Sequence, residues 1–185
     1  MRAHTKAGFS LVEVLVSVLI LSIGVIGAAS MQLTALRNNQ ESAFHGIALR
    51  IATEVADQIR AVAADDATDL ENSLLSLDFK GAADAPVVAE SCSGVRSMCD
   101  RIMLNASQLY EIESRLQTML PRGRIKVCRD NAPWDSASNA YTWECQSDEG
   151  NAPLLVKIGW HERVEGVSAA SVGTTGPQLV LLVQA

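Results

Sequence analysis

The chain has 185 residues, of which 48% are apolar and 19% charged; 15 Lys plus Arg face 21 Asp plus Glu, for a formal net charge of −6. A chain of that length can bury one core of its own. The acidic balance, without clustered Lys and Arg, argues against nucleic-acid binding as the main role, because phosphate contacts require such clusters.

The first residues form a short basic leader with Arg2 and Lys6, followed by Gly8-Phe9-Ser10-Leu11-Val12-Glu13. From Val14 to Leu36 run 23 residues without a formal charge. At about 1.5 Å rise per residue this is roughly 35 Å of helix, enough to cross a bilayer core of about 30 Å. Glu13 stands near the start of that run. Deep in lipid an unpaired carboxylate costs on the order of 2.5–3.5 kcal/mol, so a partner for it is expected.

These residues resemble the N-terminus of type IV prepilins, the precursors of pilus and type II secretion pseudopilus subunits. The resemblance implies that a prepilin peptidase cuts between Gly8 and Phe9 and that the new Phe9 amine is methylated. It also implies that Glu13 meets the Phe9 amine of a neighbouring subunit during assembly. As a hydrogen-bonded pair, an ammonium and a carboxylate become tolerable in an apolar bundle. Gly8 suits the cut, because a residue without a side chain lets a protease approach the backbone closely. Two plainer readings compete. A secretory signal peptide would end near Ala28-Ala29-Ser30, but the apolar run continues through Met31 and Leu33 and Glu13 interrupts it. A simple membrane anchor has no need of Gly-Phe and a spaced acid.

Loss of the leader would lower Lys plus Arg from 15 to 13 against an unchanged 21 acids, for a mature net charge of −8. The charged leader is expected to stay in the cytoplasm while the rest of the chain goes out. Within the apolar run Gly24 and Gly27 are the strong helix weakeners, and no proline is present. Some pilins carry a proline there; here the glycines read best as sites of close helix–helix contact.

Beyond Arg37, the residues Phe44, Ile47, Ile51, Val55, Ile59 and Val62 recur three or four apart and predict one apolar stripe on a continuing helix. Arg50, Glu54, Asp57 and Arg60 fall largely on the other side. Asp65, Asp66, Asp69, Glu71 and Asp78 form an acidic stretch, Leu70 to Leu77 suggests a helical turn covering the core, and Lys80 to Pro86 reads as loop. Asn105 with Gln108 resembles a cap, opening a second amphipathic helix through Leu109, Ile112, Leu116 and Leu120; Pro121 and Gly123 end it. Strands are predicted over 124–129, 140–146, 154–161 and 178–184, with loops at 130–139, 147–151 and 166–177.

The four cysteines fit an oxidising compartment, and three pairings are possible. Cys92 with Cys99 and Cys128 with Cys145 are preferred, each pair being close in sequence and the second tying neighbouring strands. Neither spacing is that of a zinc site. No metal or cofactor is expected. His45 and His161 read as surface residues, and no nucleophile, acid and base converge, so an enzyme is not expected.

The expected architecture is α+β and pilin-like. A long N-terminal helix, its first half transmembrane, packs on an antiparallel sheet of about four strands, with a second short helix. Residues 1–8 are the expected leader, 9–63 the long helix (14–36 in the membrane) and 64–185 the head. The segments Leu120-Pro121-Arg122-Gly123, Val127-Cys128-Arg129 and Val156-Lys157-Ile158-Gly159-Trp160 look like those of PilV-type minor pilins. That likeness implies a minor pilus subunit working with other minor and major pilins, the prepilin peptidase, the inner-membrane assembly platform and a tip adhesin. It also implies a location in the inner membrane with a periplasmic head, then in the fibre. A minor pseudopilin of a type II secretion system shares every N-terminal feature.

Overall fold

The computed structural model describes residues 10–64, 73–81, 83–86, 92, 98–147, 152–161 and 176–183. Helix α1 runs Leu11–Ala64 without interruption. It takes part in two compact units, Met1–Ala43 and Phe44–Ala185.

In the second unit, α1 buries Ala48, Ile51, Ala52, Val55, Ala56, Ile59 and Val62, with Phe44 and Ile47 half-buried beside them. This is the expected stripe, narrowed by three alanines. Small side chains between branched ones let neighbouring backbone approach closely while methyl groups fill the remaining gaps. Residues 73–75 form a helical turn whose Leu74, with Leu77 just beyond it, closes the same core.

Helix α2 spans Arg101–Met119. Its cap is Asp100, whose carboxylate accepts a hydrogen bond from the Met103 amide at 2.8 Å. Asn105 is therefore not the cap; it lies one turn inside the helix and is buried. The first turn escaped the periodicity reading because its apolar residues face outward, Ile102 being 70% exposed. Ile112, Leu116 and Leu120 join the core, and the Glu54–Arg115 ion pair at 2.5 Å links α2 to α1.

The main sheet has four antiparallel strands: β1 (Asp78–Lys80), β2 (Arg124–Arg129), β5 (Leu154–Gly159) and β6 (Leu179–Val183), in the order β1-β2-β5-β6. Strands β3 (Trp134–Asp135) and β4 (Ala140–Tyr141) form a separate hairpin. Two expectations are corrected here. Residues 78–80 pair with β2 where acidic coil and loop were expected; three residues are too few to show a period of two, yet Phe79 is a core residue. Residues 140–146 supply only Ala140 and Tyr141 as strand, and no strand of the main sheet. Beyond Tyr141 the backbone satisfies itself elsewhere: the Thr142 and Glu144 carbonyls accept from Lys157 Nζ, and the Gln146 amide donates to Asp130.

Strand β5 is buried along its whole length. Leu154, Val156 and Ile158 face the helices and belong to the core. The alternate residues Lys157 and Gly159 meet the 130–147 segment, through the Lys157 hydrogen bonds and through Trp143, whose ring would crowd any side chain at position 159. A second layer thus covers the sheet's other face. At the end of β5 the Gln178 side chain imitates a strand: its Oε1 accepts from the Trp160 amide at 2.8 Å and its Nε2 donates to the Trp160 carbonyl at 2.9 Å.

Candidate assembly site

The described part of the N-terminal segment begins at Ser10, whose carbonyl accepts hydrogen bonds from the amides of Glu13 at 3.0 Å and Val14 at 3.3 Å and so opens α1. Gly8 and Phe9 lie outside the described residues. Glu13 stands in the first turn, exposed, where a carboxylate is favoured by the free amides of a helix start. It is the only formal charge between Ser10 and Leu36, and no side chain among the described residues pairs with it.

The helix behind Glu13 is apolar on every side. Leu15, Leu19, Leu21, Ile23 and Ile26 are each about 60–70% exposed, and every residue from Leu11 to Leu36 is exposed. A helix apolar all round is suited to burial in lipid or in a bundle of other helices, because water would wet all of that surface. Its few hydroxyls are already satisfied. Ser17, Ser22 and Ser30 donate to carbonyls three residues back at 2.7–2.8 Å, and Thr34 donates to Ser30 at 3.1 Å. Hydroxyls that return their protons to the helix do not need water to accept them. Gly24 and Gly27 meet nothing within 4 Å, so this face is free in the isolated chain. Glu13 is then the one formal charge on a surface otherwise suited to lipid or to other helices, with the Gln32 amide the remaining polar side chain.

The head fastens its second layer in two ways. Cys128 and Cys145 are disulfide-bonded with their Cα atoms 6.2 Å apart, so the end of the 130–147 segment is tied to β2. Cys92 and Cys99 are bonded with Cα atoms 5.9 Å apart, just ahead of α2, and the Cys92 amide donates to the Ser107 hydroxyl at 3.4 Å. The second fastening is an ion pair that sequence reasoning missed. Lys157 and Asp130 have side chains with no solvent exposure and meet at 2.5 Å. Lys157 Nζ also donates to the carbonyls of Thr142 at 2.8 Å and Glu144 at 2.7 Å, using all three of its protons. Asp130 Oδ1 accepts from the amides of Ala132 at 2.9 Å and Gln146 at 3.2 Å. Burial pushes the Asp130 carboxyl upward, but the Lys157 hydrogen bond, the two amides and the Lys157 charge more than offset this, leaving it below the ordinary carboxylate value. The available sign in the sequence was a lysine in the middle of Leu-Leu-Val-Lys-Ile-Gly, a charge flanked by apolar residues on both sides.

The two histidines of the head bring together no catalytic set. His45 is exposed, its ring edge-on to Trp160 with centroids 6.1 Å apart. His161 is half-buried; desolvation, then the nearby Arg122 charge, hold its pKa below the ordinary value. Among the described residues no group of three or more His, Cys, Asp or Glu side chains is placed to hold a metal.

Compared with known families, residues 4–29 match the model of the prokaryotic N-terminal methylation motif, a prepilin signal of the type IV pilin kind. No match was found among curated proteins or among solved structures. The matched span contains Gly8, Phe9 and Glu13 and more than half of the uncharged run. A methylation motif at the head of a long apolar helix, followed by a pilin-like α+β fold of four antiparallel strands and a second helix, supports the type IV pilin superfamily as the place of this chain.

Proposed function

We propose that the protein is a low-abundance, minor subunit of a type IV pilus, cut between Gly8 and Phe9, methylated on Phe9 and assembled with other pilins to prime the fibre or form its tip. The observation that carries the reading is Glu13, a lone carboxylate inside the matched methylation motif and at the start of a helix with no other charge as far as Leu36. In a bundle of such helices its natural counterion is a neighbour's freed terminal amine, since two buried charges that hydrogen-bond each other avoid most of the cost each would bear alone. Before assembly the apolar run anchors the chain in the inner membrane with the head in the periplasm, a compartment where the two disulfides persist. The role is structural. The head offers its edge strands and loops to neighbouring heads, and the minor-pilin assignment rests on the likeness of residues 120–123, 127–129 and 156–160 to PilV-type proteins.

Mass spectrometry of the mature N-terminus, with and without the prepilin peptidase, tests the processing step: methylated Phe9 is expected as the first residue. A chain that begins at Met1 or near Ser30 removes the proposal. Glu13→Ala is expected to be cut normally yet recovered in sheared fibres at least about tenfold less than wild type, as loss of one buried charge partner predicts. Deletion of the protein should abolish twitching motility; loss of protein secretion instead would assign it to a secretion pseudopilus.

A further inference from the structure

Outside the N-terminal segment, one surface of the head is built for something the assembly reading does not use. The β3–β4 hairpin, Arg124 and Lys126 of β2, residues 142–144 and residues 176–178 line an open cleft of about 750 Å³. Trp134 and Tyr141 stand on it with rings edge to face, centroids 5.0 Å apart, and remain 48% and 37% exposed. Two adjoining aromatic rings that remain partly exposed in a cleft offer a ligand an apolar wall to lie against. Trp143 lines the floor, with the Arg124 guanidinium 4.3 Å from its ring centre.

Local features hold this cleft in shape. A Cβ at Gly159 would come within 2.7 Å of the Trp143 ring, so only glycine lets that ring settle on the sheet. A Cβ at Gly176 would overlap the Tyr141 carbonyl, so only glycine lets the far wall close against the hairpin. The hairpin turn is itself tied: Asp135 accepts from the Ala137 and Ser138 amides and the Ser138 hydroxyl, and Asn139 takes a positive φ of 52°.

The polar groups choose the ligand. Two cations, Arg124 and Lys126, are shared by one carboxylate, Asp78, which Arg124 grips through two nitrogens at 3.0–3.1 Å and Lys126 reaches at 3.5 Å. Glu144 adds an exposed carboxylate on the rim. Asp78 does not itself line the cleft, but it pairs with both lining cations, and counted with Glu144 it balances their charge, which gives neither an anion nor a cation an advantage. Aromatic walls with mixed donors and acceptors, at zero net charge, suit a neutral molecule that has apolar C–H faces and many hydroxyls. We propose that this cleft binds a neutral carbohydrate chain, with a sugar ring stacked on Trp134 and Tyr141 and its hydroxyls directed to Lys126 and Glu144. The proposal does not depend on N-terminal processing.

The test uses the full chain in a zwitterionic detergent with no sugar headgroup. Maltotriose, cellotriose, chitotriose and lactose are titrated while tryptophan emission and saturation-transfer NMR are followed, with sialyllactose as the anionic comparator. Saturable binding of at least one neutral sugar is expected with a Kd of about 1 mM or tighter, weakened about tenfold or more by Trp134→Ala and by Tyr141→Ala. Both variants must keep the wild-type thermal unfolding, and since the two rings are exposed they are expected to. The proposal is overturned if none of the neutral sugars saturates, if both folded variants bind as wild type does, or if sialyllactose binds more tightly than lactose.

Discussion

Between Leu11 and Leu36, α1 carries apolar side chains in every direction and all of them are exposed, whereas beyond Ala43 its fully buried positions from Ala48 to Val62 fall along one stripe. One unbroken helix therefore carries two different solutions to burial. In the second half the chain supplies its own cover from the sheet, so only the face that meets it is apolar. The first half finds no cover among the described residues, and a surface apolar on all sides is suited to lipid or to a bundle of other helices. Glu13 matters because it lies in the half that cannot look after its own charge.

Placing the same charge in each half is the sharpest way to break this contrast. Val55 is fully buried, so Val55→Asp puts an unpaired carboxylate into the core; a loss above about 4 kcal/mol is expected, enough to unfold the head, read by near-UV circular dichroism of the full chain in detergent. Val16→Asp leaves the head's unfolding curve unchanged and instead reduces recovery in the membrane fraction. Equal damage to head folding from both substitutions would remove the distinction.

The buried ion pair gives the next largest effect. Asp130→Ala strands the Lys157 ammonium away from water and is expected to destabilise the head by about 3–5 kcal/mol in urea unfolding. Because the folded Asp130 value lies below the ordinary 3.8, the pair's contribution is fully present above about pH 3.8 and is lost as pH falls through the lower folded value. Stability measured as pH is lowered past 3.8 should therefore decline, and Asp130→Asn should flatten that decline.

Replacing both Cys128 and Cys145 with Ser opens a loop with a sequence separation of 17 and is expected to remove roughly 3 kcal/mol. The 130–147 segment should still hold through Lys157, so the reduced or substituted head stays folded with a lower midpoint. Asp78→Ala is the mildest change. Its pairs with Arg124 and Lys126 are partly exposed, and a loss below about 1 kcal/mol is expected.

Much of this was legible in the residues. The uncharged run, the lone acid ahead of it and the change from all-round to one-sided apolarity in α1 are periodic signals carried by consecutive residues, and local physics is enough to read them. Ile125 and Val127 on β2, and Leu154, Val156 and Ile158 on β5, likewise show their inward face by alternation. The errors came where a residue answers to a distant partner. Strand β1 is held by Phe79, which reaches the core, and by its pairing with β2, to which the partly exposed Asp78 ion pairs add little. Residues 142–146 are not a strand because their backbone is held by Lys157 and Asp130.

The sequence by itself determined the long helix, its division into an all-apolar and an amphipathic half, and the position of Glu13, because helical periodicity and charge are properties of neighbouring residues. Only the tertiary structure decided the order of the strands, the second layer over β5, the burial of Lys157 with Asp130 and the meeting of Trp134, Tyr141 and Trp143 around one cleft. Those depend on contacts between residues far apart in the chain, and such contacts leave no repeat in the sequence from which to read them.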